Sequence, residues 1–152
     1  MKQRDLVGFM VLFLAACGGE ARRSTGVEFL TSGDPTVATL PFSEAVRVGN
    51  MLYLSGQIGN LPGTLKLPPG GIGPETEQTL TNIKTTLERH GSSLEKVVKC
   101  TVFLADIGEW PAMNEVYKQF FGPKFPARSA VAGSGLALGA RVEIECFAIV
   151  DE

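Results

Sequence analysis

The sequence predicts an α+β domain in which a single mixed β-sheet carries two helices packed on one face. Three observations predict it. Two alternating runs, Ala45-Val46-Arg47-Val48 and Met51-Leu52-Tyr53-Leu54, flank Gly49-Asn50, a pair suited to a tight hairpin turn. Two amphipathic stretches, one opening at Pro74 and one following Asp106, are separated by the β-branched run at 97–105. Two short β-runs, around 127–131 and 141–146, close the chain. Helices divided by strand runs in this order would lie on one side of a common sheet.

Each element has local reasons. The hairpin is expected over 42–58, with Ser55-Gly56-Gln57 closing its second strand; a glycine there marks either an ordinary bulge or close backbone approach to a ligand or another chain. Residues 59–73 hold Pro62, Pro68, Pro69 and five glycines, so they read as loop. Pro74 suits a helix start, Glu75 and Glu77 suit its positive end, and Leu80, Ile83 and Leu87 form one stripe. Gly91 supplies the stop, with His90 beside it as a capping or surface residue. In the second helix Met113, Val116, Tyr117, Phe120 and Phe121 recur at helical spacing as core, and Gly122-Pro123 ends it. The Gly-rich segment 133–139 lacks the G-x-G-x-x-G spacing and joins two strands, so it is a connection and not a nucleotide loop.

The N-terminus reads differently. Lys2 and Arg4 precede an apolar run over 6–16 that ends in Leu14-Ala15-Ala16-Cys17. That order describes a secretory leader, and Leu-Ala-Ala-Cys resembles a bacterial lipobox, with Cys17 as the lipidated residue. The alternatives are a buried N-terminal helix or an uncleaved anchor. The expected organisation is a leader at 1–17, a flexible tether at 18–36 and a domain at 37–152. The protein would be exported and held at the membrane only by lipid, or cytoplasmic if the leader is not processed.

Composition narrows the function classes. A chain of 152 residues with 44% hydrophobic content fits one globular domain. A net charge of −2 offers no basic footprint for nucleic acid. With Cys17 assigned to lipid, Cys100 and Cys146 remain, either as small hydrophobes or as a disulfide pair. A single histidine and no paired Cys-x-x-Cys leave no metal spacing and no His-centred triad.

Two charges stand in apolar strand runs: Arg128 in Pro126-Ala127-Arg128-Ser129, and Glu143 in Val142-Glu143-Ile144-Glu145. Such placements imply either an ion pair between strands or a site. A guanidinium fork matches a carboxylate bidentately, and a carboxylate nearby can hold a water. Glu145 shares a strand face with Glu143 and competes for that role.

These two motifs, with Leu-Ser-Gly-Gln-Ile at 54–58 and Asn114-Glu115-Val116-Tyr117, resemble the Rid family of RidA/YjgF type, over roughly 40–150. The resemblance implies hydrolytic deamination of small 2-imino and 2-aminoacrylate acids to 2-keto acids and ammonia, without metal or cofactor. It implies Arg128 as the clamp on a small carboxylate substrate and Glu143 as the residue that orients water. Ser55, Gly56, Asn114 and Phe42 would bind substrate, although many relatives carry tyrosine where Phe42 stands. Ala130 replaces a cysteine found in some relatives, and the 59–73 loop departs from the family's Asp-Pro-x-Thr-Gly character. A homotrimer with sheets around a central barrel and pockets between subunits is also implied. The rival reading is a non-catalytic lipoprotein that binds a small carboxylate or a partner; a nuclease has little support at this charge.

Overall fold

The computed structural model describes residues 26–37 and 39–151. The expected leader and Cys17 therefore lie outside the described residues. One mixed sheet runs through the chain, with strands β1 (Val27–Leu30), β2 (Ala45–Val48), β3 (Met51–Leu54), β4 (Gln57–Ile58), β5 (Val97–Leu104), β6 (Ala127–Ala132) and β7 (Val142–Ile149). The spatial order is β1-β2-β3-β7-β5-β6, and β4 also pairs with β7. All pairings are antiparallel except β5 with β6, which the crossover helix forces to run parallel. Helices α1 (Ile72–Arg89) and α2 (Trp110–Phe121) interrupt the strands as expected.

The tether reading needs correction. Val27–Leu30 forms an edge strand against β2 with Val27 opposite Val48, so the fold reaches back into 18–36. Its alternation was legible, but only the neighbouring strand supplies the hydrogen-bonding partners that make four residues a strand. The second hairpin strand also does not run on to Ile58. It ends at Leu54, and Gln57–Ile58 restarts as β4 opposite Ile144 and Glu143. From Tyr53 to Gln57 the chain advances four residues while β7 advances three, from Phe147 to Ile144. Ser55-Gly56 thus absorbs one extra residue as a bulge. Helix α1 begins at Ile72, two residues ahead of Pro74.

Strand alternation divides the sheet into two faces. Val142, Ile144, Cys146 and Ala148 of β7, with Cys100, Val102 and Leu104 of β5, are buried beneath the helices. They pack with Leu80, Ile83 and Leu87 of α1 and Met113, Tyr117 and Phe121 of α2 in one core. Each such aliphatic side chain contributes about 1.5–3 kcal/mol by leaving water. Three threonines also sit inside on α1; Thr76 and Thr79 return their hydroxyl protons to the carbonyls of Ile72 and Glu75, each at 2.7 Å. Cys100 and Cys146 stand directly opposite each other on β5 and β7 and are joined as a disulfide. The other face carries Phe29, Tyr53, Phe147, Val131, Glu143 and Glu145, and nothing in the described chain covers it.

Asn82 fixes the exit of β4 by donating to the carbonyls of Ile58 (3.0 Å) and Asn60 (2.9 Å). Gly59 follows, and a Cβ there would meet the Glu75 carbonyl at 2.6 Å, so α1 can lie this close only on a glycine. Ile83, fully buried where α1 meets the sheet, sets the scale of this packing. Ile83→Ala is expected to cost about 2–5 kcal/mol in urea denaturation with an unchanged m-value; a loss below about 1 kcal/mol would contradict the packing described.

Candidate functional site

Arg128 lies on β6 in register with Cys100, so its side chain leaves the sheet on the helix side. Its guanidinium carbon stands 4.6 Å from the centroid of the Tyr117 ring and 5.8 Å from that of Trp110. Both rings project from α2 seven residues apart, two helical turns, and Asn114 falls between them on the same stripe. These three residues, with Phe125, Pro126 and Arg128, line a cleft of about 290 Å³. Among the described residues the Arg128 guanidinium has neither an ion-pair partner nor a hydrogen-bond partner. An aromatic bed holds a cation through the ring quadrupole and leaves the N–H fork unspent. The Tyr117 side chain is buried and its hydroxyl finds no partner among the described residues. Burial pushes the Tyr117 pKa up to about 12, against the opposing pull of the Arg128 charge.

Glu143 belongs to a second locus. It stands on β7 between the buried Val142 and Ile144, so its side chain leaves the sheet on the uncovered face. A Cβ on Gly56 would come within 2.0 Å of Glu143 Oε1, so the bulge glycine is what admits this carboxylate. Of the two readings of Ser55-Gly56 the bulge is the one seen, and the close approach made there is to an acid of the same chain. Glu145, two residues on, faces Thr101 instead. The Ser55 hydroxyl donates to the Ser43 carbonyl at 2.6 Å, and the Ser55 N–H donates to the Glu44 carbonyl at 3.0 Å. This ties Ser55 to the segment that carries Phe42, a residue 58% exposed.

The sheet thus separates what sequence reading joined. Arg128 and Asn114 meet on the helix side; Gly56, Glu143, Ser55 and the Phe42 segment gather elsewhere. Arg128 and Glu143 form no ion pair, and one chain does not place a water held by Glu143 beside a substrate held by Arg128. The reason is the two-residue period of a strand: Arg128 shares the face of Cys100, and Glu143 shares that of Phe103.

Three carboxylates brace these loci. Glu75, only 6% exposed, accepts the Arg141 N–H at 2.8 Å just before Glu143. Glu109, ahead of α2, accepts from Arg141 Nε at 2.7 Å and holds the Arg141 pKa above its ordinary value. Glu44 gathers Arg89 (2.5 Å), His90 (2.8 Å) and Thr86 (3.2 Å), so His90 caps α1 but turns its ring inward. Among the described residues no three His, Cys, Asp or Glu side chains gather as a metal would require.

Comparison with known proteins gives the family. The family model described as Endoribonuclease L-PSP matches residues 33–150. The chain belongs to the Rid family. Curated Rid relatives named 2-iminobutanoate/2-iminopropanoate deaminase include one from Capra hircus, 48% identical over 72% of this chain and 80% of its own length. The Homo sapiens protein of that name is 45% identical over the same shares, 72% and 80%. Among solved structures, the Escherichia coli YjgF gene product superposes with a TM-score of 0.74 at 32% identity, covering 80% of this chain and 98% of its own. Escherichia coli TdcF with bound serine superposes with a TM-score of 0.69 at 33% identity, covering 73% of this chain and 89% of its own. The single mixed sheet with two helices is the layout that this Rid chain shares with them.

Sequence reading placed Tyr117 in the core and passed over Trp110. The i, i+4, i+7 stripe of Trp110, Asn114 and Tyr117 was available as a signal, but nothing in sequence says that Arg128 reaches it. Tyr117→Phe removes a hydroxyl without a partner, so stability at pH 7 is expected to stay within about 1 kcal/mol of wild type. The folded pKa lies above the unfolded one, so the neutral hydroxyl's contribution is full below pH 10 and is lost as pH climbs to about 12. Urea midpoints across that window should fall more steeply for wild type than for Tyr117→Phe; parallel curves would exclude a buried Tyr117 hydroxyl.

Proposed function

We propose that this Rid chain hydrolyses small 2-imino acids, and the 2-aminoacrylates that tautomerise to them, to 2-keto acids and ammonia. The carrying observation is the Arg128 guanidinium, laid over two aromatic rings with its donors unspent at the edge of a cleft that also holds Asn114. A 2-imino acid presents one carboxylate, which the fork grips in the plane it prefers. Serine, bound to the related TdcF, carries a carboxylate on the same carbon position. The curated relatives' names support the same substrate class.

The chemistry asks for positioning more than activation, because a protonated imine is already electrophilic. Water adds to C2 while Glu143 accepts one of its protons. The resulting carbinolamine collapses to the ketone as that proton returns to nitrogen, which departs as ammonia, while the carbinol O–H proton passes to the freed Glu143 carboxylate and on to the departing ammonia or solvent. Since Arg128 and Glu143 of one chain lie on opposite sides of its sheet, the site is composite. One copy supplies Arg128 and Asn114; its neighbour in a homotrimer supplies Glu143, Gly56 and the Phe42–Ser55 region. The exposed Phe29, Tyr53 and Val131 of the uncovered face supply the apolar contact between copies.

Imine generated in situ by an amino-acid oxidase tests this. Wild type is expected to speed its decay, and Arg128→Ala and Glu143→Gln to lose at least about 100-fold in kcat/KM. Mixing and refolding the two variants together should restore about a quarter of the sites, those pairing an intact Arg128 with an intact Glu143. No recovery on mixing would place both residues in one chain's site. Gly56→Ala should lower kcat by displacing the Glu143 carboxylate, while melting within a few degrees of wild type; undiminished turnover would remove Glu143 from the reaction.

The leader pattern supports export with Cys17 as the lipid-bearing residue, which would leave the domain tethered at a membrane surface. Labelling with a tagged fatty acid should mark wild type and not Cys17→Ser, and persistent labelling of the variant would end that assignment.

A further inference from the structure

We infer that the Cys100–Cys146 disulfide is a structural cross-link installed while the chain folds, and that the protein accordingly folds in an oxidising compartment. The argument starts from register. Cys100 and Cys146 are direct partners on β5 and β7, with Cα atoms 4.1 Å apart. That spacing belongs to the close pairs of an antiparallel ladder, where opposed side chains are nearest. Both point to the helix side, and both are 0% exposed beneath the helices. No thiol reagent, oxidant or enzyme reaches them once the core has closed. The bond therefore forms before or during closure.

Formation joins two thiols into one disulfide and releases two electrons and two protons. The acceptor is a disulfide oxidant of the compartment, either a thiol–disulfide oxidoreductase or oxidised glutathione, which leaves as two thiols. A reducing cytosol supplies no such net oxidation. The sheet thus bears on compartment independently of the N-terminal leader, which is read from sequence alone.

The position also gives the cross-link mechanical consequence. Cys146, Cys100 and Arg128 fall on one row across β7, β5 and β6, and Glu143 is three residues along β7 from Cys146. The bond staples the strand beside Arg128 to the strand that carries Glu143. It closes a loop between positions 46 residues apart, long enough to restrict the unfolded chain substantially.

The experiment uses the full-length chain expressed in a bacterium that processes such leaders. The membrane fraction is quenched in acid, denatured, blocked with N-ethylmaleimide and digested without reductant. The expected product is one mass that links the Cys100 and Cys146 peptides, split by dithiothreitol; both peptides recovered with the maleimide label overturn the inference. Refolding from the reduced, denatured state then tests timing. Oxidised glutathione present during refolding should form the bond at least about tenfold faster than the same reagent added after folding is complete. Equal rates overturn installation during folding. Cys100→Ala/Cys146→Ala should melt at least about 5 °C below the oxidised wild type and ignore reductant, and equal melting overturns a structural role. None of these readouts uses imine turnover, so they stand or fall apart from the deaminase reading.

Discussion

The antiparallel pairing of β5 with β7 is the constraint on which the remaining structure depends. Seven residues of each strand face one another across this ladder, from Val97 opposite Ala148 to Leu104 opposite Val142. Because side chains alternate along both strands, one register commits every residue of the sheet's centre to a face. The face with Val102, Leu104, Ile144 and Ala148 is apolar and takes the helices. The face with Thr101, Phe103, Glu143 and Glu145 is left without cover by the described residues. A slip of one residue would bury two glutamates and expose the core, so hydrophobic burial and the cost of burying carboxylates enforce the same register.

From that register the functional groups follow. β6 joins β5 in parallel, and the pairing of Arg128 with Cys100 sends the guanidinium toward α2, whose aromatic stripe receives it. Glu143 goes the other way and lodges against Gly56, the only kind of residue that leaves it room. An arginine and a glutamate fifteen positions apart in sequence thereby become groups that a single copy cannot bring to one substrate. The composite site proposed above would turn this separation into a reason for the site to lie between copies, with the uncovered face as their contact.

The supporting carboxylates show how rigidity is distributed. Glu75 and Glu109 converge on Arg141 from α1 and from the turn before α2, so the start of β7 is held from the N-terminal ends of both helices. Glu44 ties the strand beside Phe42 to the end of α1. Charge-assisted hydrogen bonds of this kind fix geometry at chain positions where apolar packing is thin. None of them engages the Arg128 guanidinium, which has no ion-pair or hydrogen-bond partner among the described residues.

Local pattern in the sequence determined the helices, the Gly49-Asn50 hairpin, the β5 run and the identity of the two charged strand residues, because each rests on periodicity or turn chemistry within a few neighbours. The motifs around Ser55-Gly56, Asn114, Arg128 and Glu143 by themselves suggest the Rid family. What only the tertiary structure decided were relations across strands: β1 as an edge strand, the bulge at Ser55-Gly56, the disulfide, His90 turned onto Glu44, Arg128 on its aromatic bed, and the opposite sides taken by Arg128 and Glu143. Those depend on register, which long-range pairing fixes and sequence spacing does not record.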